Sequence, residues 1–474
     1  MSFAWPRSAV DLRGAANLIA KLMKYLSLAP LVPAVVAIGY REPSWPFLFA
    51  AAIVGGVSLG VELLTRGEHR IGSREGFLVV SLTWLGAAAL GALPYLLSGE
   101  AQLDRPIDAY FEAMSGFTTT GASVVTDLDA VPRSLLLWRQ LTQWLGGIGI
   151  IVLALAVLPR LRVGGRQLLE HEMPGPEIES LSTRIRDTAR RTWFLYVALT
   201  AALILTLLAF GWTGVDDRMT VFDAFAHALA TIPTGGFGVE GTSLAEFAAA
   251  SQWAIALFML LAGANFALLY RAFVRREPAA LARDEEFRLY LALLTLGATI
   301  VGLEIWLEGI ATGEAAVRHA VFQTVSTMTT TGFATIDFAT WPTLAAMTLV
   351  GLMFVGGSAG STSGSVKVVR HLLQGKIIGR ELDQTLHPEV VAPVRLNRTV
   401  VDERTLRAVS SFVLLYVGIF IVGAALLAAD AARTGVAVST LDAVGASATT
   451  LGNVGPGFGF AGPFGSFEPF SDFS

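Results

Sequence analysis

Nine stretches of this sequence are each about 20 residues long and mostly apolar, the length of helix needed to cross the hydrocarbon core of a bilayer. With soft boundaries they run over 18–40, 46–65, 76–98, 134–158, 192–212, 247–270, 288–308, 343–366 and 406–430. Nine spans within 474 residues commit the chain to a polytopic membrane fold. Only 15% of residues are charged, where a water-facing surface needs about 25%, and the mean hydropathy is +0.60. An ordinary soluble protein and a disordered one are thereby excluded. A net charge of -4 with no separate basic domain argues against nucleic-acid binding. The lack of cysteine excludes disulfides, zinc–thiolate sites, iron–sulfur clusters and cysteine nucleophiles. The first apolar run is long and has no small-residue cleavage motif, so it reads as a span and not a signal peptide.

Basic residues collect in cytoplasmic loops, and here they fall on alternate sides of the spans. They lie at Arg7, Arg13, Lys21 and Lys24, and at Arg66, Arg70 and Arg74. The next groups are Arg160, Arg162, Arg166, Arg184, Arg186, Arg190 and Arg191, then Arg271, Arg275, Arg276, Arg283 and Arg288. The last is Lys367, Arg370, Lys376, Arg380, Arg395, Arg398, Arg404 and Arg407. The opposite side carries Asp104, Asp127, Asp129, Asp216, Asp217, Glu240 and Glu246. The N-terminus is expected to face the cytoplasm.

Between spans lie four segments too short and too polar to cross. They start at Asp108 (DAYFEAMSGFTTTGAS), Asp223 (DAFAHALATIPTGGFG), His319 (HAVFQTVSTMTTTGFAT) and Asp442 (DAVGASATTLGNVGPG). Aligned on Gly121, Gly235, Gly332 and Gly455, the starting residue lies 13, 12, 13 and 13 positions earlier. Each segment reads as a helix of about three turns followed by a Thr- or Gly-rich turn. Asp at a helix start caps free N–H groups and complements the positive end of the dipole; His319 in that slot leaves the third helix less well capped. The opposite end carries orphan carbonyls and partial negative charge, and a following glycine lets the backbone turn its oxygens inward. Four such loops about one axis replace the water shell of a dehydrated cation. Carbonyl oxygens with no ring of carboxylates favour a monovalent ion over a divalent one. One such loop alone is an ordinary polar turn; four at matched spacing, each flanked by spans, read as re-entrant pore loops.

The eighth span contains GGSAGSTSGS at 356–365. Glycine inside a helix costs about 1 kcal/mol relative to alanine, so this helix is expected to break there. Irregular backbone at membrane depth survives only where it lines a cavity or is buried in protein. Its small side chains can block a path or retract from it, the alternative being close packing between helices. Lys367 and Arg370 are expected at the membrane boundary.

Other patterns carry no chemistry. Gly457, Gly459 and Gly462 spell a G-x-G-x-x-G that follows no strand. His69, His171, His227, His319, His371 and His387 show no metal spacing, and His227 reads as a packing or capping residue. No catalytic triad or intramembrane charged cluster is recognisable, which counts against a membrane enzyme.

Together the residues resemble the Trk/Ktr/HKT superfamily of potassium transporters, most closely the bacterial Trk-system membrane subunits. The resemblance is carried by REGFLVV (74–80), GALPYLLSG (91–99), SGFTTTGA (115–122), RQLTQWLGGIGIIVLA (139–154) and EMPGP (172–176). It continues in ATIPTGGF (230–237), DEEFR (284–288), GGSAGSTSGSVKVVR (356–370), HP (387–388) and LGNVGPGFG (451–459). It implies an all-α polytopic membrane protein: a two-helix preamble (1–70) and four span–pore helix–filter loop–span repeats in pseudo-fourfold arrangement (71–165, 186–285, 286–385 and 400–474). It also implies potassium uptake across the bacterial inner membrane, without enzymatic chemistry and with no cofactor in this chain beyond the bound, transported K+. The implied filter residues are Thr119, Thr120 and Gly121; Pro233, Thr234 and Gly235; Thr330, Thr331 and Gly332; Asn453, Val454 and Gly455. Glycine in all four resembles the potassium-selective members.

The implied gating loop comprises Gly356, Gly357, Ser358, Ala359, Gly360, Ser361, Thr362, Ser363, Gly364 and Ser365. The implied partners are a second copy of the chain and a cytosolic, TrkA-like ring of Rossmann-like subunits that binds NAD or ATP. The sequence leaves open a symporter coupled to protons or sodium, and a non-conducting fragment or assembly subunit. The last span of the fourth repeat is expected to be absent, because the residues after Gly455 contain no apolar run.

Overall fold

The computed structural model describes residues 11–67, 72–157, 178–390 and 392–472, and the side chains of all of these except Ser73, 150–157 and 178–188. Arg7, His69, Arg70, Arg160, Arg162, Arg166, His171 and the 172–176 motif lie outside the described residues, as do the side chains of Arg184 and Arg186. The chain is predominantly helical, and its only strands among the described residues, β1 (Arg395–Leu396) and β2 (Thr399–Val400), form one antiparallel pair. Six described helices or helix pairs are long and apolar enough to span a bilayer: Leu12–Tyr40, Trp45–Leu64, Arg74–Ser98, Ala189–Thr213, Glu285–Leu307 and Glu403–Thr434.

Contacts divide the chain into two units. The first holds α1 (Leu12–Leu26), α2 (Leu31–Tyr40), α3 (Trp45–Leu64), α4 (Ser73–Gly91) and α5 (Leu93–Ser98). Lys24 pairs with Glu62, and the Asn17 amide donates to the Glu62 carbonyl and to Thr65, tying α1 to α3. Most of α6 (Pro106–Phe117) belongs here, with Asp108 in its first turn, as does the start of α7 (Arg133–Val157). The Glu42 carboxylate caps α7 by accepting from the N–H groups of Arg133 and Ser134, both at 2.9 Å.

The second unit contains Ser115–Val131, Arg139–Ile151 and everything from Arg186 on. Its helices are α8 (Ile178–Thr213, from Arg186), α9 (Val221–Thr231), α10 (Ala249–Ala262), α11 (Phe266–Leu269), α12 (Ala279–Arg283) and α13 (Glu285–Leu307). They continue with α14 (Gly313–Met328), α15 (Thr343–Val355), α16 (Val368–Leu386), α17 (Glu403–Thr434) and α18 (Thr440–Gly452). Long helix α17 is clad in exposed apolar side chains such as Leu414, Leu415 and Leu426, a surface suited to lipid and not to water.

The short helices start differently from what the sequence suggests. Asp223 and Asp442 are third residues of capping boxes, with Thr220 and Ser439 as the N-caps. His319 is no helix start at all: α14 begins at Gly313, with Glu314 in its first turn, and His319 bonds Thr335 Oγ1 at 2.8 Å. That helix is longer and takes its dipole complement one turn earlier. Replacing Asp442 by alanine removes the bond to the Ser439 N–H and is expected to lower stability by about 1 kcal/mol, read as a lower melting midpoint in detergent.

The run at 247–270 is not one continuous helix. Helix α10 stops at Ala262, and α11 resumes at Phe266 after a bend of 104°. Asn265 makes the break possible, because its side chain caps α11 by accepting from the Leu268 N–H at 3.1 Å.

Candidate functional site

Four loops of the second unit, following α6, α9, α14 and α18, share one backbone. In each, a residue in the left-handed region is followed two positions later by a glycine with positive φ. The pairs are Thr119 (58°) and Gly121 (79°), Thr234 (56°) and Gly236 (76°), Thr330 (58°) and Gly332 (89°), and Asn453 (63°) and Gly455 (100°). The residue between them donates its N–H to a carbonyl five residues back: Thr120 to Ser115, Gly235 to Ala230, Thr331 to Ser326 and Val454 to Thr449, all at 2.8–2.9 Å. The left-handed residue donates three back, to Gly116, Thr231, Thr327 and Thr450.

This fixes the register and moves it by one in the second loop. The residues equivalent to Thr119–Gly121 are Thr234, Gly235 and Gly236, in place of the expected Pro233, Thr234 and Gly235. The spacing from Asp223 to Gly236 is then 13, as in the other three. Two adjacent glycines hid this, because either one satisfies an alignment on glycine.

The glycines also show how the loops meet. A Cβ on Gly121 would lie 2.2 Å from the Gly235 carbonyl oxygen, and one on Gly236 1.8 Å from that of Thr331. One on Gly332 would lie 2.2 Å from the Val454 oxygen, and one on Gly455 2.7 Å from the Thr120 oxygen. Each loop thus presses a bare glycine against the next loop's carbonyl, and the fourth closes on the first. No side chain fits at these seams.

Side-chain bonds brace the loops in different ways. Thr118 and Thr120 hydroxyls bond each other at 2.8 Å, as do Thr329 and Thr331. The Asn453 amide donates to the carbonyls of Thr118 and Thr119 and accepts from Thr120 Oγ1. The second loop is held from α7: Gln143 Nε2 donates to the Gly235 carbonyl at 2.7 Å, and its Oε1 accepts from the Phe237 N–H. Arg139 is buried beside it, donating to Gly238 and Ser123 with its guanidinium 4.1 Å from the Phe237 ring centre.

The glycine- and serine-rich segment packs against the inner ends of these loops. Helix α15 ends at Val355 and α16 begins at Val368, so 356–365 is irregular. Thr362 Oγ1 donates to the Ile232 carbonyl at 3.0 Å, the Thr234 hydroxyl donates to Thr362 Oγ1 at 3.3 Å, and the Gly364 N–H donates to Thr330 Oγ1 at 2.7 Å. A Cβ on Gly364 would meet Asn453 at 2.6 Å. The segment therefore touches the second, third and fourth loops. Its other side fits the break before α11, where Ser358 N–H donates to Gly263 and Phe266 N–H to Gly360.

Two charged groups hold the segment, Glu286 and Lys367. Glu286, in the first turn of α13 and only 7% exposed, accepts from the Ala359 N–H at 2.6 Å. Lys367 turns inward instead of marking a boundary: its Nζ donates to the carbonyls of Ser363 and Ser361. In the sequence Glu286 figures only as part of the DEEFR motif, and nothing in that pattern marks its bond to Ala359. Arg370 is half-buried, donating to the Val366 carbonyl at 2.7 Å with its guanidinium 4.2 Å from the Phe412 ring centre. His227 packs edge-on between Phe247 and Phe333. Among the described residues no group of three His, Cys, Asp or Glu is placed to hold a metal.

A family model described as TrkH, cation transport protein, matches residues 48–474. The Trk system potassium uptake protein TrkH of Escherichia coli (strain K12) is 37% identical over 465 residues, covering 96% of this chain and 93% of that protein. Trk system potassium uptake protein TrkG of the same strain is 34% identical over 441 residues, covering 91% and 87%. The crystal structure of the potassium transporter TrkH from Vibrio parahaemolyticus superimposes with a TM-score of 0.86 at 33% identity, covering 98% of this chain and 94% of that one.

Proposed function

The chain belongs to the TrkH family of cation transport proteins, and from that premise we propose that its four-loop ring is a potassium filter and residues 356–365 are its gate. As a member of that family it is a membrane-embedded potassium uptake transporter. The observation that carries the finer reading is the closed ring: each glycine leaves just enough room for the next loop's carbonyl. Rigid backbone oxygens at fixed spacing replace the hydration shell of a cation of matching size. The filter strands are then Thr119–Gly121, Thr234–Gly236, Thr330–Gly332 and Asn453–Gly455.

In this reading the N-terminus is cytoplasmic, the membrane is the bacterial inner membrane, and ions move inward down the electrochemical gradient. An inside-negative potential supplies about 2.3 kcal/mol per charge for each 100 mV, so uptake needs no chemistry in this chain. The 356–365 segment, which bonds to the second and third loops, is read as the gate on the cytoplasmic side of the filter. The assembly is a homodimer controlled by a cytosolic, TrkA-like nucleotide-binding ring.

Rubidium uptake into proteoliposomes tests the filter. Potassium is expected to compete with rubidium far better than sodium does. Equal competition by the two ions would sink the filter reading.

A further inference from the structure

Resting on that filter reading, we infer that Gln143 is a specificity-determining residue, supplying from α7 the side chain that the second filter strand lacks. The central residue of the other three strands is β-branched: Thr120, Thr331 and Val454. In two of them its hydroxyl bonds the threonine two positions back, Thr118 or Thr329. The second strand can make no such brace, because those positions are Gly235 and Pro233. A Cβ on Gly235 would sit 2.4 Å from Gln143 Cδ, 2.6 Å from Oε1 and 2.8 Å from Nε2. The carboxamide therefore occupies the volume that a threonine or valine side chain would take up. It is fully buried, and it bonds the strand on both sides, at the Gly235 carbonyl and the Phe237 N–H.

Gly235 itself has no positive φ, and the atoms nearest to a Cβ there all belong to Gln143. This distinguishes Gly235 from the four seam glycines, which are excluded by neighbouring backbone. A filter distinguishes cations of different size only while all its walls hold their spacing. The wall built on Gly235 has no internal support, so its spacing depends on a residue more than 90 positions away in sequence.

The test uses the full chain in proteoliposomes, with rubidium uptake competed by potassium or sodium. Gln143→Ala is expected to keep uptake while the potassium-over-sodium preference falls about tenfold. Gly235→Thr alone is expected to lose uptake, because its side chain collides with Gln143. The double variant Gln143→Ala, Gly235→Thr is expected to conduct again and to regain preference over Gln143→Ala alone. Should Gln143→Ala fail to fold, Gln143→Leu keeps the volume, loses both hydrogen bonds and carries the same expectation of lost preference. A residue that merely stabilised α7 would lower the amount of folded protein and leave the preference unchanged.

Wild-type preference in a folded Gln143→Ala or Gln143→Leu, or a double variant no better than the single one, overturns the inference. Gly332→Ala separates this from failure of the filter itself. If Gly332→Ala abolishes selective uptake while Gln143 variants do not change it, only the role of Gln143 is lost. If Gly332→Ala is also silent, the four-loop filter is wrong.

Discussion

Gly236→Ala is expected to cut potassium-selective uptake by about 100-fold or more. Two costs add at this position. An alanine at φ 76° pays roughly 1–2 kcal/mol for the left-handed backbone. Its Cβ would also fall 1.8 Å from the Thr331 oxygen and 2.8 Å from the Thr331 carbonyl carbon. Those atoms are backbone of the next filter strand, so they cannot rotate away as a flexible side chain would. Overpacking of this kind costs about 1–3 kcal/mol, and a total near 3 kcal/mol corresponds to about two powers of ten. Gly241 is a control a few residues along the same connection, because a Cβ there meets nothing within 4 Å. Rubidium flux through Gly236→Ala and Gly241→Ala is the comparison to make. Normal flux in both would mean that the register on Gly236 is wrong. The contrast with Gly235 is equally sharp: removing the Gln143 side chain relieves a substitution at 235 and does nothing for one at 236.

The second large effect is expected in the opposite direction. Lys367→Met should raise rubidium flux about tenfold or more in the absence of any regulatory subunit. Lys367 donates to two carbonyls of the 356–365 segment, and a hydrogen bond from a charged group is worth about 1.5–3 kcal/mol. Each 1.4 kcal/mol removed from the docked state shifts its equilibrium with a retracted state about tenfold. On the proposed filter reading, loss of this positive charge acts in the same direction, by lowering the barrier to a cation. Glu286→Ala removes the tether to the Ala359 N–H and should also raise flux. Glu286→Gln should do so less, because an amide oxygen still accepts that bond. Fluxes through Lys367→Met and Glu286→Ala at or below the wild-type level would show that these groups do not hold a closed gate.

What could be read from the sequence, and what could not, follows from the range of each interaction. Six of the apolar spans, the four polar segments and the interruption at 356–365 are visible because they are local in sequence: about 20 apolar residues, a matched spacing, a run of glycine and serine. The break at 263–265 was missed because Gly263 and Asn265 sit in a run whose mean apolarity is unbroken. Only the capping bond from Asn265 to Leu268, a three-dimensional fact, reveals it. Gly236 was passed over for Gly235 because the two are chemically identical until the neighbouring Thr331 carbonyl tells them apart. Gln143 and Glu286 act across long sequence separations, on Gly235 and Ala359 respectively, and nothing near either residue in sequence marks that role. The third helix differs for a similar reason: the repeat alignment places His319 at its start, whereas the helix begins at Gly313.

The ring in which every strand leans on the next behaves like a masonry arch without a keystone. No strand has an outer end to yield, so a disturbance at one seam is passed around all four. The width of the opening is therefore a shared property, set to one value for the whole circle and not strand by strand. The side-chain supports are under no such constraint, and they already differ: paired threonines at two strands, a glutamine from a separate helix behind another, and an asparagine tying the fourth strand to the first. Substitutions should accordingly be absorbed at the buttresses, where one partner can be exchanged for another, and refused at the seams, where any added atom has to push the entire circle open.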